Sequence, residues 1–103
     1  ATRSRDADLA CIFAEAQYQS RQKSEALRLY EDCLGLARKM TTDQSKSVRY
    51  QMMGLARLQR FDEAEALLSE SGDSDLKADY AAILLDRGDT GRAALFMAKD
   101  NPR

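Results

Sequence analysis

A chain of 103 residues with one valine, two isoleucines and four threonines, beside sixteen alanines and thirteen leucines, has little from which to build a β-sheet. Strands draw on β-branched and aromatic side chains, which pack well on a pleated surface. Residues that lose little freedom in a helix (Ala, Leu, Met, Glu, Gln, Lys and Arg) fill well over half the positions. The single proline, Pro102, stands where it can break no helix. The chain therefore reads as all-α and long enough for one domain.

Composition narrows the function as well. Apolar residues make up 44% and charged residues 32%, with a formal net charge of −1, so no basic excess marks a nucleic-acid binder. No apolar run approaches the ~20 residues that span a bilayer, and no strongly basic amphipathic stretch marks a membrane-surface helix. Histidine is absent, and with it the usual general base and the commonest metal ligand. The glycines at 35, 54, 72, 88 and 91 lack the spacing of a phosphate-binding loop. The carboxylate pairs Asp73/Asp75 and Glu63/Glu65 fall in turns or on charged faces, where such groups are solvated. A non-enzyme without cofactor or metal is expected, with a protein or peptide as partner. Cys11 and Cys33 form no CxxC. Both fall inside helical segments, so they read as small unpaired residues, with a disulfide as the alternative, and a reducing compartment, cytoplasmic or nuclear, follows. Because the chain starts at Ala1 and stops at Arg103, a fragment of a longer protein is the expectation.

Punctuation divides the chain into six helices: about 6–20, 24–39, 44–59, 62–69, 75–87 and 90–99. Leu9, Ile12, Phe13 and Ala16 recur at three- and four-residue steps and mark the expected core face of the first. Leu27, Tyr30, Leu34 and Ala37 do so for the second, and Val48, Met52, Leu55 and Leu58 for the third. The loop Thr41-Thr42-Asp43 supplies an N-cap, and Gly88-Asp89 pairs a C-cap glycine with an N-cap aspartate.

Three alanines, Ala26, Ala64 and Ala93, each stand near the start of the second helix of a pair. Twelve residues before them lie Ala14, Met52 and Ala81; four after them lie Tyr30, Leu68 and Met97. This pattern, with Gly88-Asp89 and Phe61 at the turns, resembles the tetratricopeptide repeat. The resemblance implies three antiparallel helix pairs, about 8–40, 44–71 and 75–100, stacked as a short right-handed solenoid. Spacings of 38 and 29 residues between the alanines, against a family period of about 34, imply an irregular one.

In such a solenoid the first helix of each pair lines a concave face, which here carries Cys11, Glu15, Tyr18, Arg49, Tyr50, Met53, Arg57, Ala78, Ala82, Leu85 and Asp86. Arg49 and Arg57, two turns apart with Met53 between them, would suit an acidic or amphipathic peptide. They could equally be taken up by Glu15, Asp79 or Asp86. Glu15 stands where a carboxylate-gripping member of the family would need a neutral or basic residue, so that subclass is set aside. Leu95, Phe96 and Met97 run consecutively in the last helix and cannot all face inward. Leu95 and Phe96 are thus the expected terminal interface, open to self-association as a homodimer. A further resemblance, to the N-terminal region of the seventh subunit of the anaphase-promoting complex, implies a scaffold that dimerises through its repeats. A third, to the small chaperones of bacterial type III secretion, implies a segment held in the groove.

Overall fold

The structure, a computed structural model, describes residues 4–41 and 43–100. Among them the chain forms six helices and no strand: α1 (Ser4–Gln19), α2 (Lys23–Arg38), α3 (Gln44–Arg57), α4 (Phe61–Ser71), α5 (Ser74–Asp86) and α6 (Thr90–Asp100). None is long and apolar enough to cross a membrane. Asp43 begins α3 by accepting the Lys46 backbone N–H at 3.0 Å, and Asp73 begins α5 by accepting those of Asp75 and Leu76. Each carboxylate takes up donors that a helix start leaves without partners. Thr42, Asn101 and Pro102 lie outside the described residues.

The turn inside each helix pair is the same turn three times. Arg21, Gln59 and Gly88 adopt left-handed backbone with φ of 70°, 63° and 88°. The residue after each donates its N–H five residues back, Gln22 to Gln17, Arg60 to Leu55 and Asp89 to Leu84, at 2.8 to 3.0 Å. That is the long bond of a Schellman helix end. The carbonyls of Gln22, Arg60 and Asp89 then accept the N–H of Ala26, Ala64 and Ala93. The repeat visible in the alanines is therefore a repeat of backbone geometry.

Those alanines are buried, as are Ala14, Met52 and Ala81 twelve residues earlier. Small side chains at the crossings let antiparallel helices close up. The α2–α3 contact is close at Gly54, where an added Cβ would sit 3.3 Å from Leu34 Cβ and 3.4 Å from the Tyr30 carbonyl oxygen. Ser47, buried on α3, donates to the Ala37 carbonyl at the end of α2 (2.6 Å). α1 packs on α2, α2 on α3, α3 on α4 and α5 on α6, and α3 also lies against both α1 and α5. The main core joins Leu34 of α2 to Met52, Leu55, Leu68, Tyr80 and Phe96. Ala14, Ala26 and Tyr30 form a smaller cluster between α1 and α2.

Two expectations are overturned here. α1 turns Ala7, Cys11 and Ala14 inward, while Leu9, Ile12, Phe13 and Ala16 face out; Leu27 of α2 is exposed too. The reason is steric: α1 comes so near α2 that the Cys11 and Cys33 Cα atoms are 4.8 Å apart, a spacing that side chains larger than Ala or Cys would prevent. The cysteines, expected to be unpaired, are joined in a disulfide across that contact. Their separation of 22 residues brings them level on two antiparallel helices. The pairing removes the ground for expecting a reducing compartment and assigns no other.

The shared turn makes opposite substitutions informative. Arg21→Gly relieves a left-handed non-glycine residue and is expected to raise unfolding free energy by about 0.5–1 kcal/mol. Gly88→Ala is expected to lower it by about 1 kcal/mol. Urea midpoints at constant m-value check both. A fall on Arg21→Gly, or no change on Gly88→Ala, would contradict the turn geometry.

Candidate interaction surfaces

The residues expected on the concave face converge, but on one another. Arg57 is 5% exposed, its guanidinium carbon 4.1 Å from the centre of the Tyr18 ring. Its Nε donates to Glu15 Oε1 at 3.3 Å, and the Tyr30 hydroxyl donates to the same oxygen. Its Nη1 lies 3.9 Å from Asp86 Oδ2 and has no hydrogen-bond partner among the described residues. One side chain of α3 thus ties α1, α2 and α5 together. Arg49 Nη1 donates to Asp79 Oδ2 at 2.8 Å, a half-exposed link from α3 to α5. Tyr50 stands apart, its hydroxyl donating to Asp8, which also holds Lys46 Nζ at 3.4 Å. Tyr80 repeats the scheme further along, donating to Glu65 at 2.7 Å beside Arg92 at 2.8 Å.

Each junction between pairs is therefore stapled by a tyrosine, a carboxylate and a cation. Burial, then the hydrogen bond to Glu15, holds the Tyr30 hydroxyl above the usual tyrosine range. Burial and Glu65 do the same for Tyr80, while burial and Asp8 push Tyr50 up to about 12. For Arg57, burial pulls downward, but the Glu15 carboxylate and the hydroxyls of Tyr30 and Tyr18 outweigh it and leave the guanidinium more basic than usual.

Glu15, Arg49, Met53 and Arg57 line a cavity of about 310 Å³ together with Asp79 and Ala82. Tyr18, Arg57 and Asp86 line a neighbouring one of about 360 Å³. Neither offers a free guanidinium fork, since Arg49 is paired and Arg57 is enclosed. Cys11, expected on this face, is wholly buried in the disulfide, whereas Leu85 is exposed.

At the far end Phe96, expected in the terminal interface, is instead in the core, edge-on to Tyr80 with ring centres 4.8 Å apart. It lies three residues beyond Ala93, on the same helical side. Leu95 is 69% exposed, and Met97 is exposed beside it. The larger apolar surface lies at the other end, on α1, where Ile12 and Phe13 are 57% and 56% exposed and Leu9 flanks them. A signal for this was present: α1 carries Ala7, Cys11 and Ala14 on one side and Leu9, Ile12 and Phe13 on another, so it is apolar twice over.

Comparison of the chain with protein-family models, with curated proteins and with solved structures finds no match in any of the three.

The tyrosine staples predict an alkaline limit. Well below pH 10.0, the ordinary tyrosine value, all three hydroxyls are protonated folded and unfolded, so they add no pH-dependence there. Above it the unfolded chain sheds these protons first, so stability falls as pH rises towards about 12, where Tyr50 ionises in the folded state. Urea midpoints should fall across that window, and Tyr30→Phe should flatten the fall. An equal slope in wild type and variant would contradict the assignment.

Proposed function

We propose that this chain is a non-catalytic interaction scaffold, built of tetratricopeptide-like helix pairs, that docks a partner helix on the outer face of α1. One observation carries the reading: α1 buries Ala7, Cys11 and Ala14 while presenting Leu9, Ile12 and Phe13 to solvent. Fully burying a Leu, Ile or Phe side chain stabilises by about 1.5–3 kcal/mol, and a partner would gain roughly half of that from each of these three half-covered residues, which together form a docking stripe. A helical partner suits it, because an amphipathic helix offers apolar side chains at the same three- and four-residue spacing. Capture of an acidic segment in the concave groove is less well supported, since Arg49 and Arg57 already serve as internal links between repeats.

A displayed library of amphipathic helices, selected on the folded chain, tests this. Selected helices should lose at least tenfold in affinity on Phe13→Glu and keep it on Arg49→Ala. Helices indifferent to Phe13→Glu but lost on Arg49→Ala would move docking to the groove and overturn the proposal, as would a selection that yields none.

A further inference from the structure

The outer face of α1 has a register, and the register points to its occupant. Ala26 and Ala93 fix the offset between the first and third pairs, which sets Leu9, Phe13 and Ala16 at the positions of Leu76, Tyr80 and Ile83. In α5 those three are the seat on the preceding pair: Leu76 and Tyr80 are buried, Ile83 packs on the core, and the Tyr80 hydroxyl reaches Glu65 of α4. In α3 the same positions are Ser47, Gln51 and Gly54, and Ser47 and Gly54 meet α2. The stripe on α1 is therefore the receiving half of a junction between pairs, without its donor.

The donor half is also unfilled, at the other end. Tyr30 of α2 and Leu68 of α4 are buried where the next pair stacks; Met97 holds that position on α6 and is 44% exposed. Leu95 corresponds instead to Arg28 and Ala66, which face solvent on their own helices, so Leu95 stands off the stacking face. The geometry points to a second copy of this chain as the occupant, α6 of one molecule seating on α1 of the next. The junction of α2 with α3 is antiparallel, the end of α2 meeting the start of α3 through Ser47 and Ala37. The same arrangement between copies sets Met97 of α6 against Ala16 of α1, as Tyr30 of α2 meets Gly54 of α3. Head-to-tail contacts of this kind do not close on a two-fold axis; they grow into chains or rings.

The inference rests on the docking role of α1, and its test separates the two. In sedimentation velocity the wild-type mass should rise with concentration beyond that of a dimer. Phe13→Glu and Met97→Glu should each sediment as monomers with wild-type helical content, and Leu95→Glu should associate like wild type. An equimolar mixture of Phe13→Glu and Met97→Glu should form a dimer and stop there, because one keeps its α6 face and the other its α1 face. A mixture that stays monomeric, or a Met97→Glu variant that still dimerises alone, would overturn head-to-tail pairing. A wild type monomeric at all concentrations that still binds selected helices through Phe13 would overturn only the identity of the occupant. Loss of that binding as well would overturn the docking role itself.

Discussion

Everything in this fold depends on how closely antiparallel helices can approach, and small side chains set that distance. Ala14 and Ala26 are buried in one cluster, Met52 with Ala56 and Ala64 in another, while Gly54 admits the flank of Leu34. Extra methylenes at such crossings would cost about 1–3 kcal/mol each through displaced neighbours. The disulfide from Cys11 to Cys33 lies in the same close contact. Once small residues line the buried side of α1, its large ones have only the outside to occupy. The exposed stripe is thus a consequence of the packing rule.

A second layer of interactions converts three hairpins into one body. Tyrosine hydroxyls, carboxylates and cations meet at each junction: Tyr30 with Glu15 and Arg57, Tyr50 with Asp8 and Lys46, Tyr80 with Glu65 and Arg92. Enclosing Arg57 at 5% exposure is tolerable because the Tyr18 ring and Glu15 surround the guanidinium. Removing Glu15 would strand the buried Arg57 charge, which costs far more than an exposed ion pair contributes. These links hold successive pairs in a fixed order, and that order gives the molecule two different ends.

The helices were legible because local chemistry fixes them: alanine and leucine richness, Asp43 at a helix start, Gly88 at a helix end. The buried state of Ala26, Ala64 and Ala93 was legible through their shared spacing. Periodicity, however, reports that a face is apolar without saying which neighbour covers it. Leu9, Ile12 and Phe13 therefore read as core although the fold leaves them exposed. Phe96 read as surface because three consecutive apolar residues do not reveal which one the Tyr80 ring selects. The cysteine pairing depends on two helices lying side by side, a non-local fact. Arg49 and Arg57 carry the same sequence signal whether they face a ligand or Asp79 and Glu15.

Which side of α1 is covered decides the account. Methyl relaxation by a soluble paramagnetic chelate, measured at a dilution where the chain is monomeric, addresses it directly. The methyl groups of Leu9 and Ile12 should relax strongly, while those of Ala7, Ala14 and Ala26 should be shielded. Shielded Leu9 and Ile12 beside strongly relaxed alanines would mean that α1 is turned over, and the packing rule, the stripe and the two-ended molecule would all be wrong.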